Sequence, residues 1–269
     1  MKKALAALLL FLTIVPPVAT AAEQNSLSFD LGLELSHITY KEPQLMRESG
    51  LMYGIHGICS YYGQARVPAG VRLDGRLSTG TVTYTGQYSN GAPVEVSGIR
   101  DTMFELRGML GIYNLGEPGA VLMPWVGLGY RYLHDGADRI PGGYERESNY
   151  YYVPILLERV PARRPGWSVG WTAEYDYFLS GTQYSYLSDF NPGLSDMTNR
   201  QSNGFGWRAS VRFLWRDALR TVAVEPFVRY WRIGQSEQSL VTLNGSPYAV
   251  GWEPVNNSTE LGVQVAVTF

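Results

Sequence analysis

Glu260-Leu261-Gly262-Val263-Gln264-Val265-Ala266-Val267-Thr268-Phe269 alternates apolar with polar or small residues, and the reading of this stretch decides the fold. A period of two puts every second side chain on one face of an extended strand. Near the other end of the chain, Phe29, Leu31, Leu33 and Leu35 interleave in the same way with Asp30, Gly32, Glu34 and Ser36. Followed through the sequence, the pattern predicts ten strands near 27–40, 50–62, 70–84, 99–113, 120–133, 145–159, 167–179, 203–215, 220–234 and 252–269. Short connections around 63–69, 114–119, 161–166 and 216–219 alternate with longer polar ones around 41–49, 85–98, 134–144, 180–202 and 235–251. Tight turns at one end and long loops at the other are the asymmetry of membrane barrels, and an even strand count returns both ends of the sheet to one side.

Periodicity alone does not separate such a barrel from a soluble sandwich, because both alternate. Strand length and aromatic placement do. Many of the segments exceed the five or six residues usual in soluble sheets and reach the roughly 9–11 needed to cross a bilayer at a tilt. Trp167, Trp171, Tyr175 and Tyr177 share one face, and Trp207 and Trp215 flank Ala209, Val211 and Phe213, as in an apolar belt bounded by aromatic girdles. The expected class is therefore all-β, a transmembrane antiparallel β-barrel of ten strands with long extracellular loops and short periplasmic turns. The first residues carry a leader: Lys2 and Lys3, the apolar run Ala4 to Val15, Pro16 and Pro17, then Ala19-Thr20-Ala21. This divides the chain into a signal peptide, 1–22, and a barrel, 23–269, placed in the outer membrane after export across the inner one.

Composition agrees. The 269 residues are 45% apolar, 13% aromatic and 17% charged with 30 glycines, too hydrophobic for disorder and too interrupted for a helical membrane bundle. A formal charge of −2 gives no field to gather nucleic acid. The single cysteine, Cys59, leaves no intramolecular disulfide.

The closing segment ending in Phe269 resembles the carboxy-terminal assembly signal of bacterial outer-membrane barrels, which implies the barrel assembly machinery as a partner. Ten strands with tall outer loops resemble the omptin-like architecture, shared by surface proteases and a ten-stranded adhesin. The omptin protease motifs, an aspartate pair on one outer loop and an Asp-x-His pair across the cleft, have no match: the segment near 85–98 offers Glu95, and 180–202 offers Asp189 and Asp196 with no histidine.

On the face opposite the apolar belt, strand parity collects Asp30, Glu34, Asp74, Glu105, Glu158, Glu174, Asp176, Glu225 and Glu260 against Arg72, Arg76, Arg107, Arg131, Arg146, Arg208, Arg212 and Arg229. So balanced a set in a narrow lumen is expected to pair, since the planar guanidinium binds carboxylates bidentately. Glu174 and Asp176, two apart on one face, read as arginine partners or as a carboxylate dyad. Tyr150 and Tyr152 face inward beside Arg146 and fit packing or a sugar-binding platform. Gly127 and Gly129 read as strand glycines that leave room for large neighbours, not as a phosphate loop.

Histidine occurs only as His37, His56 and His134, with no metal-binding spacing, and no cofactor is implied. His134 with Asp135 and Asp138 stands at the outer end of a strand, and a histidine near carboxylates can act as a general base. Ser180, Ser185 and Ser188 lie nearby, with no nucleophile motif to choose among them. Asp135, Asp138, Asp189 and Asp196 lack the spacing of a calcium loop. Three roles remain open on sequence: a surface protein that binds an extracellular ligand, lipopolysaccharide or another envelope component; a rim hydrolase acting on peptides or lipids; and a narrow channel.

Overall fold

In a computed structural model of the chain, residues 26–63, 69–87, 91–112, 120–139, 142–162, 164–217 and 220–269 are described. The expected leader, 1–22, lies outside them. The strands in chain order are β1 (Ser26–Glu42), β2 (Met46–Gly63), β3 (Ala69–Gln87), β4 (Pro93–Ile112), β5 (Ala120–Asp135), β6 (Arg146–Pro161), β7 (Gly166–Ser185), β8 (Met197–Gln201), β9 (Gly204–Arg216), β10 (Thr221–Ile233), β11 (Ser239–Leu243), β12 (Ser246–Gly251) and β13 (Asn256–Thr268). Ten of them close into one antiparallel ring: β1 through β7 in order, then β9, β10 and β13, with β13 returning to β1. Outside the ring, β8 pairs with the end of β7, and β11 and β12 form a separate hairpin.

The seam is continuous from Asp30↔Thr268 to Lys41↔Asn257. It ends on a reciprocal backbone pair, Phe269 N–H to Phe29 O at 2.9 Å and Phe29 N–H to Phe269 O at 3.3 Å. No sheet edge is left within the ring, which is the condition for a sheet to lie in hydrocarbon.

Burial runs opposite to that of a soluble protein. Leu31 and Leu33 are 61% and 67% exposed on the outer face, whereas Glu34 is 4% and Arg76 6% exposed within. Neighbouring strands continue the greasy face in register, Val265–Leu33–Ile55–Leu77–Phe104. An apolar outside around a polar inside is the arrangement of membrane barrels.

All ten expected strands are present, but several run farther than the apolar pattern suggested. β1 and β2 stay paired to Glu42↔Met46, and β3 and β4 to Gln87↔Pro93, inside segments read from sequence as loops. The cause is visible on β3, where Thr79, Thr81, Thr83 and Thr85 take the outer face beyond Leu77. Threonine is a good strand former without being greasy, so the hydrophobic signal fades while the strand continues. Likewise the 180–202 segment holds the end of β7, a turn of helix at Leu187–Phe190 and β8, and the 235–251 segment holds the β11–β12 hairpin.

The lumen is layered. Near the end bearing Ser26 and Thr268, the terminal end, Met109, Met123, Trp125 and Leu156 pack together. Toward the opposite, loop end lie Tyr150, Tyr152, Phe178, Trp231 and Ile233, and beside them Ile38, Met52, Val82, Ile99 and Met103. Charged side chains fill the space between these apolar layers. Gly129 and Gly206 make the packing possible: a Cβ on Gly129 would enter the Tyr152 ring, and one on Gly206 would stand 2.9 Å from the Trp231 indole.

Candidate functional site

The inward faces of the ring strands project a connected set of ions into the middle of the lumen. Arg76, from β3, binds Glu260 through both terminal nitrogens at 2.9 Å, Glu105 through Nε at 2.8 Å and Glu34 at 3.1 Å. Arg229, on β10, closes on Glu34 at 2.8 and 3.0 Å and on Glu260 at 3.3 Å, and Gln264 donates to Glu34. Across the lumen, Arg208 of β9 donates to Glu105 and to Asp176, the latter at 2.9 Å, and lies 3.0 Å from Glu174. Arg107 links Glu174 at 2.6 Å to Asp74. Tyr152 donates its hydroxyl to Glu105. These contacts tie strands on opposite walls to one another, so the network spans the bore instead of lining it. Toward the terminal end, Arg72 pairs with Glu158, and Arg212 binds Glu225 at 2.7 Å with Asp30 at 3.5 Å. A space of about 70 Å³ beside the network, bordered by His56, Asp74, Arg107 and Arg212, has room for a few waters, and a wider cavity of about 720 Å³ reaches Arg72, Glu158 and Arg212 from the terminal end.

Glu174 and Asp176 converge on one guanidinium, Arg208. A dyad free to share a proton with substrate would need an open approach, and Asp176 is fully buried. Arg131 departs from the expected pairing: among the described residues it has no carboxylate within ion-pair distance. Its neighbour in register, Glu105, is already held by Arg76, Arg208 and Tyr152. Arg131 instead lies over the rings of Trp231 at 5.5 Å and Tyr150 at 5.9 Å and reaches Ser258.

A second charged layer sits nearer the loop end and was only partly visible in the sequence. Arg146 is its hub, bound to Asp135 at 2.8 Å, Glu42 at 3.0 Å and Glu48 at 3.2 Å. Tyr40 donates to Glu253 at 3.0 Å and to Glu42 at 3.2 Å. Asp101 is buried against Asp135, its partner in register. Glu42, Glu48, Asp101 and Glu253 were not singled out from sequence, although strand parity points Glu42, Glu48 and Asp101 inward. Glu253, on the connection before β13 and outside the apolar belt, is raised to about 7 by burial, with Glu42 and Asp135 adding to the shift against Arg146 and Tyr40.

The rim candidates do not converge. Adjacent residues of a strand face opposite ways, so His134 is on the outer wall, with Nε2 3.1 Å from Glu145, while Asp135 points into the lumen at Arg146. Asp138 is exposed on the short turn Ala137–Arg139. Ser185 is buried inward, Ser180 is exposed, and Ser188 donates to Asp196 at 2.7 Å; Asp189 accepts the Glu145 backbone N–H at 3.0 Å. Phe269 is 73% exposed on the outer face at the seam.

A closed ten-strand antiparallel ring, apolar outside and ion-filled inside, is the fold of outer-membrane barrels. Its architecture is omptin-like: the chain overlays the outer membrane protease OmpT from Escherichia coli with a TM-score of 0.55 at 10% identity, covering 94% of this chain and 98% of that one. Weaker overlays include the Pseudomonas putida toluene transporter TodX (TM-score 0.31, 10% identity, 90% and 89% covered) and Neisserial surface protein A (0.28, 11%, 90% and 97%). No family model and no curated protein matches the sequence.

Proposed function

We propose that the protein resides in the outer membrane, exported by its 1–22 leader, as a closed barrel that holds its loop end outward as a surface for binding an extracellular or envelope component. The observation that carries this reading is the ion network crossing the bore: a pathway for solutes would require Arg76, Arg208 and Arg229 to release their carboxylates together. The outward orientation rests on the apolar belt, which covers Leu27 to Leu35 of β1 and gives way beyond it to polar walls and the loop-end elements.

Lipopolysaccharide is the envelope partner this surface fits. One row above the belt runs Arg232–Asn257–Lys41–Arg47 across four adjacent strands, its three cations exposed. None of the three has a carboxylate within ion-pair distance among the described residues. Cations at headgroup height without protein partners suit phosphate groups of the outer leaflet.

Planar-bilayer recording tests the closed bore. Purified protein is expected to give no sustained porin-like conductance. A large, stable conductance from the unmodified protein would replace the display role with the narrow-channel one.

A further inference from the structure

The loop-end charged layer contains more acid than its base can answer. Glu42, Glu48, Asp101, Asp135 and Glu253 are all buried, each less than a tenth exposed, around the one guanidinium of Arg146. Among the described residues, the titratable groups facing them from the remaining walls are phenols: Tyr40 of β1, Tyr84 of β3, Tyr150 of β6, and Tyr144 on the connection before β6. Fully ionised, the layer would hold five negative charges against one positive. Removing several unpaired carboxylates from water is far costlier than protonating them.

Two further features place the protons. Asp101 and Asp135 are direct cross-strand partners, and each keeps one oxygen, Oδ1, buried without a hydrogen-bond partner. Two carboxylates so placed repel each other, and since Arg146 holds Asp135, the proton falls to Asp101, which among the described residues has no ion-pair partner. Glu253 is the only one of the five acids that does not stand on a ring strand. It hangs from the end of the β10–β13 excursion, whose two arms are fastened together there: Glu253 N–H donates to Ser236 Oγ at 2.8 Å, and Ser236 N–H to Glu253 O at 3.0 Å. Among the described residues these side chains form no metal-binding group.

We propose that this layer is a proton-binding latch: protons held on Asp101, Glu48 and Glu253 keep the Glu253 arm of the 234–255 excursion seated over the loop end, and their loss expels Glu253 and unfastens that arm from Ser236, while the rest of the excursion stays tied to the 191–203 segment. The moving part is the connection, because the other four acids are fixed on paired strands. Glu253 titrates within the range where the latch would act, its carboxyl standing at about 7. The latch concerns the outer layer alone, so it can fail while the bore below stays closed, and the bore can conduct while the latch holds.

The test uses the intact barrel in neutral liposomes, titrated from about pH 6 to about pH 9. Infrared spectra are expected to show a carboxylic-acid carbonyl band at the acid end that disappears on titration and is weakened in Glu253→Gln and Asp101→Asn. Hydrogen exchange, corrected for the chemical pH dependence, is expected to lose roughly tenfold or more protection at the Ser236 and Glu253 amides over the same range. Glu253→Gln, neutral at every pH, is expected to remove that loss. No protonated band in the unmodified protein, or protection independent of pH, overturns the proposal. Recovery of protection by calcium at the alkaline end also overturns it, by making the layer a cation site.

Discussion

Removing the Arg76 guanidinium by Arg76→Ala is the sharpest test of the central network. The side chain makes four hydrogen bonds to three carboxylates. The carboxylates do not suffer equally. Glu34 keeps Arg229 and Gln264, and Glu105 keeps Arg208 and Tyr152, whereas Glu260 is left, among the described residues, with the 3.3 Å contact to Arg229 as its one ion pair. The expected loss is therefore that of one orphaned buried charge, about 3–5 kcal/mol, rather than three times that amount. Neutralising the orphan as well, in Arg76→Met with Glu260→Gln, is expected to recover about half of the loss, because the double change removes the unpaired charge along with its partner. Denaturant unfolding of the barrel in detergent, followed by the heat-modifiable shift in gel mobility, measures both. If Arg76→Ala costs under about 1 kcal/mol, or if the double variant is as unstable as the two single changes added together, the guanidinium is not compensating buried carboxylates and the argument for a pinned bore collapses.

Glu253 sets a pH dependence of opposite sign to that of an ordinary salt-bridged acid. Its folded value of about 7 lies above the ordinary 4.5, so its share of stability is complete below about 4.5 and is lost as pH rises through 7. Glu253→Gln is thus expected to raise the thermal midpoint at pH 8 relative to the unmodified protein and to leave it unchanged at pH 4; a variant equally shifted at both would refute this. His134→Ala breaks a partly exposed contact with Glu145, and its unfolding free energy is expected to change by less than about 0.5 kcal/mol, with any hydrolysis of peptides or lipids unaltered. Loss of such hydrolysis in a folded variant would restore His134 as a catalytic residue. Deleting Phe269 removes the reciprocal pair at the seam and is expected to reduce the heat-modifiable barrel recovered in membranes; undiminished recovery would count against its role in assembly.

The ten ring strands and the inward set of charges were legible in the sequence for one reason: a period of two assigns a face to every side chain once a single face is known. The same rule already placed His134 and Asp135 on opposite walls, which the notion of a combined rim site overlooked. What parity does not carry is register. That Arg208 meets Glu105 and Asp176, or that Arg131 ends among aromatic rings, depends on how ten strands shear against one another. The outer acid layer escaped notice because Glu42 and Glu48 lie where the outer face turns polar and the alternation in hydrophobicity stops, so their segment read as a loop. Glu253 falls within the strand expected at 252–269, where parity with Glu260 points it outward; β13 begins only at Asn256, and the folded path of the excursion brings Glu253 to Arg146.

The seam between Phe29 and Phe269 has a consequence for how the ring comes into being. Its partners stand at opposite ends of the described chain, and drawing together the ends of so long a segment costs on the order of 5 kcal/mol in chain entropy before any compensating contact forms. The strand that completes the cylinder is also the last of the ring in chain order, so no subset of earlier strands can bury its polar edge in lipid while waiting for it. Circular closure must therefore be a late, cooperative event, with slow formation as the expected companion of so many distant pairings. Once made, the same seam turns this order into durability: unzipping must begin somewhere on a ring that has no beginning.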